Sequence, residues 1–285
     1  MKIQQSISNI CILISPVSQT RKAKRVLNEV TSSLTLLKMP FTHHTFNWPD
    51  NLSSFSDLWI IGGDGTLNYA LNKYKTINLP VVIFKGGTGN DFAWKLYGDA
   101  NVSQQIEAGL TCMPQFVDVA QCNEQLYINS AGFGFDGEVL KSMKSIRSIG
   151  GHLGYLGAAL KTIFTYGEVG YQIRAKKYYD NKYLLVAINN SSRTGGGFHI
   201  TPGASINDGF LDMVLCEKLS VFNRLRYLPV IEKGKHLNLQ FISHEQGTEF
   251  TVTAGRRILG QLDGELISGD SFKIKVLPAY IQFRY

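Results

Sequence analysis

Short apolar runs bounded by glycine and polar residues punctuate the first third of the chain, and each leads into a stretch with helical spacing. Residues 10–14 (Ile-Cys-Ile-Leu-Ile) read as a buried strand, Thr20 as the cap of a helix over 21–34, and 41–46 as a second strand. Leu58-Trp59-Ile60-Ile61 and Val81-Val82-Ile83-Phe84 are two further buried strands, each ending in a glycine loop that opens a helix, and 103–110 is one more short helix. Strand and helix in turn predict a parallel sheet covered on both faces. From about residue 116 the rhythm changes. Runs at 117–119, 126–128, 184–188, 211–215, 249–252, 272–276 and 281–283 are strand-like, several of them alternating, with helical stretches at 137–164 and 221–228 between them. That pattern predicts a mainly antiparallel domain of sandwich type. The fold class is therefore α/β plus β, with residues 1–120 in an α/β domain, 121–285 in a β-rich domain, and the last residues free to return to the first.

Composition narrows this little. With 285 residues, 44% of them hydrophobic, the chain can fill two cores. The best apolar stretch, 155–164, is too short to span a bilayer and is interrupted by Lys161, and the start, Met1-Lys2-Ile3-Gln4-Gln5, has no secretory apolar core; a cytoplasmic protein is expected. Cys11, Cys112, Cys122 and Cys216 are scattered without metal-ligand spacing, as free thiols in a reducing compartment would be. The net charge of +7 is not arranged in basic runs interleaved with aromatics, so no nucleic-acid partner is expected. The clusters Lys141, Lys144, Arg147 and Arg174, Lys176, Lys177 suit a solvated surface, and would also hold a protein weakly at anionic lipid.

Four motifs carry chemistry. Gly62-Gly63-Asp64-Gly65-Thr66 follows a buried strand, where missing side chains let a phosphate approach the backbone and the next helix points N–H groups at it. Asp64 would repel that phosphate unless a cation stood between them, which points to a magnesium nucleotide; as a plain turn, Asp64 would be a helix cap. Gly86-Gly87-Thr88-Gly89-Asn90-Asp91 is a second such loop, with Thr88 able to donate to phosphate and Asn90 and Asp91 able to cap or to orient the loop. The third runs from the triplet Gly195-Gly196-Gly197, a close approach or a turn, to Asp208-Gly209-Phe210-Leu211-Asp212, a hairpin turn or a set of oxygens for a hard cation. In the fourth, Asp263-Gly264-Glu265, two carboxylates on a regular strand would share one face, and their repulsion would raise one pKa unless a cation or an incoming hydroxyl separated them; a hairpin turn is the plain alternative.

Taken together, these motifs resemble the diacylglycerol kinase catalytic domain family, soluble bacterial lipid kinases that are also similar to sphingosine kinases. The resemblance includes Leu67 and Asn68 after the first loop, Phe92 and Ala93 after the second, Asn129-Ser130-Ala131-Gly132-Phe133-Gly134-Phe135-Asp136, and Gly154-Tyr155-Leu156, and so covers nearly the whole chain. It implies an NAD kinase-like nucleotide domain and a β domain with the active site in the cleft between them, and transfer of the ATP γ-phosphate to a neutral lipid, most simply diacylglycerol to phosphatidic acid. ATP would be held by Gly62, Gly63, Asp64, Gly65, Thr66, Leu67, Asn68, Thr88, Asn90, Asp91 and Thr45, with Asp64 linked through Mg2+. Asp263 or Glu265 would accept the hydroxyl proton. Asp208, with the carbonyls of Ser205 and Phe210, would hold a second, structural Mg2+. The resemblance further implies transient contact with a membrane, and leaves a homodimer open. Where the family has an asparagine and a glycine near the start, this chain has Ser15 and Gln19; it also has Tyr69 for a glutamate, Lys85 for a proline and Trp94 for an arginine. Ser15, Gln19, Tyr69 and Lys85 support an alternative, a non-catalytic nucleotide or lipid binder. An NAD kinase is the lesser alternative, because no second dinucleotide signature is found.

Overall fold

A computed structural model describes residues 7–15, 21–145 and 151–285. Thr20, read as a cap, the departure at Gln19 and Arg147 of the basic cluster lie outside them. The chain divides into two compact units, Met1–Val117 with Ala279–Tyr285, and Asp118–Pro278.

The first unit contains β1 (Ile10–Ile14), α1 (Arg21–Leu36), β2 (Phe41–His44), β3 (Asp57–Gly62), α2 (Asp64–Tyr74), β4 (Val81–Lys85), α3 (Asp91–Tyr97) and α4 (Val102–Thr111). Its strands run parallel in the order β2-β1-β3-β4, with Ile10 beside Phe41 and Asp57, and Leu58 beside Val81. β1 and β3 are buried throughout, as uninterrupted apolar strands under helices must be. Ala23, Val26, Val30 and Leu34 form one stripe of α1 and pack with Ile10, Ile12, Trp59, Ile61, Val82 and Phe84, joined by Ile106 and Leu110 of α4. A reciprocal capping box between Asn101 and Gln104 starts α4. The end of the chain returns here: Phe283 pairs with Val81, and the buried Arg284 donates through Nε to Asp57 Oδ1 at 2.8 Å and through Nη1 to the Cys112 carbonyl at 2.8 Å.

The second unit follows from β5 (Gln115–Cys122) through β6 (Gln125–Tyr127), β7 (Ser130–Gly134), α5 (Phe135–Ser145), α6 (Gly151–Thr165), β8 (Val169–Arg174), β9 (Tyr178–Asn189), β10 (Leu211–Glu217), α7 (Val221–Glu232), β11 (Ile242–Gly247), β12 (Glu249–Leu262) and β13 (Glu265–Phe283). Pairing is antiparallel in the order β11-β10-β9-β7-β12-β13. β8 closes a ring, because β9 and β12 each pair with β8 along one part of their length and with β7 along another. Alternate residues Tyr171 and Ile173, Val186 and Ile188, Met213 and Leu215, and Phe250 and Val252 meet in its core. The other face of β9 and β10 is covered by Leu228 and Ile231 of α7 and Leu156 of α6.

Two strands lie outside the reading of the spacing, while the described parts of 137–164 are helical as α5 and α6. β8 joins the sheet through its alternation of Val169, Tyr171 and Ile173. β11 (Ile-Ser-His-Glu-Gln-Gly) is an edge strand with polar residues on both faces, so no apolar pattern announces it. No helix among the described residues is long and apolar enough to cross a membrane. Cys11, Cys122 and Cys216 are buried free thiols, and burial pushes each up to about 12.

Candidate active site

The two glycine loops of the first unit are built against each other. The Gly86 amide donates to the Gly62 carbonyl at 2.9 Å. A Cβ on Gly87 would lie 2.5 Å from Gly63 Cα, and one on Gly86 would lie 2.9 Å from the Gly62 nitrogen. A Cβ on Gly62 would meet the Thr66 side chain within 2.7 Å. Glycine is therefore required at Gly86 and Gly87 by loop crossing, and at Gly62 by the Thr66 side chain of its own helix, before any ligand is considered. Asn90, left-handed at φ 55, ties the second loop: its Oδ1 accepts from the Gly87 amide at 2.8 Å and its Nδ2 donates to the Gly87 carbonyl at 2.8 Å. It orients the loop and makes no side-chain cap.

Asp64, read from the sequence as an acid facing a cation or a helix cap, caps a helix other than the one it opens. Its carboxylate accepts from the backbone amides of Asp91 at 3.1 Å and Phe92 at 2.9 Å, so it caps α3 from the start of α2. An anion there is favoured by the open N–H groups and the dipole of α3. Gly63, at the start of α2, has no side-chain cap bond. Thr88 is exposed at the tip of the second loop, Thr66, Leu67 and Asn68 are buried on α2, and Thr45 is half-buried just past β2.

Two lysines matter that spacing could not place. Lys22 on α1 donates from Nζ to the Gly87 carbonyl at 3.3 Å, and partial burial with Arg25 nearby lowers its pKa. Lys85 instead reaches the carbonyls of Gly98 and Ala100, closing the far end of α3. Beside α2, Phe46, Trp48 and Tyr69 border an open cavity of about 470 Å³, with the rings of Trp48 and Tyr69 5.0 Å apart.

In the second unit Asp263 and Glu265 do not share a strand face. Asp263 at φ 49 and Gly264 at φ 84 form a two-residue hairpin turn between β12 and β13, the geometry that Asp-Gly favours. Asp263 is buried, and its carboxylate accepts three consecutive amides, Ile128 at 2.8 Å, Asn129 at 2.9 Å and Ser130 at 2.9 Å. Successive N–H groups of this kind form an anion cradle; here the chain's own carboxylate fills it. Glu265, just past the turn, is exposed.

The glycine triplet is a turn as well. Thr194 and Phe198 exchange backbone hydrogen bonds at 2.9 and 2.8 Å, Gly195 and Gly196 take positive φ, and Arg193 donates to the Gly196 carbonyl at 3.0 Å. Further on, the buried Asp118 accepts from the Gly209 amide at 2.7 Å, fixing the loop that carries Asp208. Asp208 is exposed, with Oδ1 accepting from the Phe210 amide at 3.0 Å. Among the described residues no three His, Cys, Asp or Glu side chains converge as a metal site. Asp208 with the carbonyls of Ser205 and Phe210 would offer oxygens of the hard kind that magnesium takes. The uncapped start of α2 likewise fits a phosphate.

Residues 9–122 match the model of the diacylglycerol kinase catalytic domain, and residues 129–284 that of the YegS C-terminal NAD kinase beta sandwich-like domain. A Staphylococcus aureus (strain Newman) protein named "Putative lipid kinase" is 28% identical over 236 residues, covering 79% of this chain and 75% of its own length. Among solved structures, a diacylglycerol kinase from Bacillus anthracis str. Sterne shares the fold with a TM-score of 0.74 at 18% identity, covering 99% of this chain and 98% of that one. An NAD kinase from Archaeoglobus fulgidus in complex with ATP superposes with a TM-score of 0.53 at 13% identity, covering 97% and 93%.

Proposed function

The chain belongs to the diacylglycerol kinase catalytic domain family, and we propose that it is a lipid kinase that transfers the γ-phosphate of ATP to the hydroxyl of a neutral lipid, diacylglycerol being the first acceptor to test. The observation that carries this reading is the pair of interlocked loops beneath the uncapped start of α2, a rigid backbone cradle for phosphates. In it the amides that open α2, Thr88 and Lys22 hold the phosphate chain. The slot of Phe46, Trp48 and Tyr69 takes the purine base by stacking.

Magnesium, when bound through Asp64 and through Asp208 with the carbonyls of Ser205 and Phe210, supplies charge neutralisation at the phosphates and a stiffened loop. The acceptor's proton goes to Glu265, because the oxygens of Asp263 are engaged by three backbone amides. Phosphoryl transfer is loose, so Glu265 acts late and positioning dominates. In this reading the acceptor lipid is reached from a bilayer. Exposed Leu153, Leu160 and Phe164 on α6 and Phe222 on α7 support peripheral contact with lipid. An apolar cavity under α7, lined by Ile163, Leu185, Phe198 and Leu228, has about 50 Å³ free, less than an acyl chain needs without rearrangement.

The departures at Tyr69 and Lys85 fit within this reading, one as a wall of the base slot and the other as the lock on α3. The test is a transfer assay with γ-labelled ATP, magnesium and a panel of neutral lipids in mixed micelles, with the product identified by mass spectrometry. A phosphorylated lipid is expected. ATP binding without transfer to any acceptor in a lipid extract would replace the kinase with a nucleotide-dependent binder.

A further inference from the structure

The ring in the second unit is incomplete at one point. Strand β12 is paired with β8 at residues 251–254 and with β7 at 260–262, and its register with β13 breaks between Thr253 and Ile258. A cavity of about 400 Å³ opens where β7 ends and β8 begins, lined by Gly134, Lys141, Tyr166, Arg256, Arg257 and Ser268. The carboxylate on its wall, Glu138, is paired with Lys141 at 3.5 Å. Neither guanidinium has a carboxylate partner among the described residues, and Arg257 Nη2 donates to Ser268 Oγ at 3.0 Å.

Behind Tyr166, which lines the cavity, lies a buried pair of hydroxyls. Tyr171, 1% exposed, and Tyr166 bring their hydroxyls together at Gly134: a Cβ there would lie 2.2 Å from the first and 2.3 Å from the second. Gly134, at φ 78, keeps that space open. Both hydroxyl oxygens are buried without a well-formed partner. Two hydroxyls facing each other can satisfy only one of their two protons, so a donor is left over. Burial pushes both phenols up, and they stay protonated. Two exposed guanidinium forks on the wall, with one surplus phenol proton buried just behind Tyr166, lack an acceptor of negative charge among the described residues.

We infer that this notch is an anion site for a phosphate ester, the chemistry shared by a phospholipid headgroup and a small free phosphate. The site is separate from the residues assigned to ATP and does not rest on the kinase reading. Its volume leaves room for the rest of an ester beyond the phosphate itself.

The test uses the full chain in two arms. Thermal denaturation is followed with inorganic phosphate against chloride at equal ionic strength, and co-sedimentation with phosphatidylcholine vesicles with and without phosphatidylglycerol. Phosphate at ten times its Kd should raise the native Tm by about 2 °C. Arg256→Gln with Arg257→Gln should remove at least half of that shift, any remainder belonging to the glycine loops. Lys218→Gln with Lys235→Gln removes the same charge from exposed positions elsewhere and should leave it intact. If a headgroup is the ligand, sedimentation needs phosphatidylglycerol and falls about tenfold in the arginine variant; if a free phosphate is, only the thermal arm responds. The inference is overturned if the arginine and lysine variants behave alike in both arms. Should the arginine variant fail to fold, Tyr166→Phe decides: an undiminished phosphate shift, with unchanged sedimentation, overturns it equally.

Discussion

Asp263 and Glu265 stand two positions apart and have opposite environments, which gives them separable roles. Glu265→Gln should lower kcat at least ~100-fold while leaving the Tm unchanged, as loss of a proton acceptor does. Asp263→Asn turns an amide group toward N–H donors and should cost about 2 kcal/mol of stability; a melting curve identical to the native one would remove the anchoring role. Asp64→Asn should abolish transfer in the assay with γ-labelled ATP, and its loss of charge at the start of α3 should also cost ~1 kcal/mol. Lys22→Gln tests a residue that spacing did not single out: the KM for ATP should rise several-fold with the Tm held. An unchanged KM would confine Lys22 to the loop carbonyl it touches.

At the scale of elements, the crossing of the two glycine loops sets what can be altered. Gly87→Ala forces a methyl to within 2.5 Å of Gly63 Cα, so one loop must move. Nucleotide binding and stability should fall together, the second by roughly 1–3 kcal/mol. Gly157, on α6 with open space where its Cβ would be, is the contrast: Gly157→Ala should be neutral or stabilise by up to ~1 kcal/mol through helix propensity. Denaturant titration of the pair reads both, and equal midpoints would show that the loops are not the constraint. Lys85 belongs at this scale too. In the sequence it is a departure from a family pattern; in the fold it ties down the C-cap carbonyl of Gly98 and the loop carbonyl of Ala100 just past a helix only seven residues long.

For the whole molecule, pH dependence follows from histidines buried without charge. His236 is fully buried with Nε2 2.9 Å from the Ile200 carbonyl, and burial lowers its pKa, as it does that of His199. A histidine with a lowered folded pKa binds fewer protons in the native state. Its contribution is present above the unfolded value of about 6.5 and is lost as pH falls below it. The Tm should therefore drop between pH 7.5 and 5.5, and His236→Gln should flatten the slope. The first unit depends instead on the returning end of the chain. Arg284→Met would leave Asp57 buried without its cation and should cost about 3–5 kcal/mol, read as a lower denaturation midpoint.

Much of the fold was legible from local pattern, because apolar runs and their spacing decide whether a segment can bury one face or two. The span of β1 and the glycine-ended strands β3 and β4 are of this kind, and the motif order carries the family. What glycines and acids do inside the motifs was decided by tertiary structure. Gly63 and Gly87 face each other across 24 residues of sequence, and Asp263 is cradled by amides up to 135 residues away. No local periodicity encodes such pairs. Asp64 therefore read as an acid awaiting a cation and proved also to be the cap of another helix. The notch beside Arg256 arises from a break in strand pairing, which exists only once β7, β8, β9 and β12 have met.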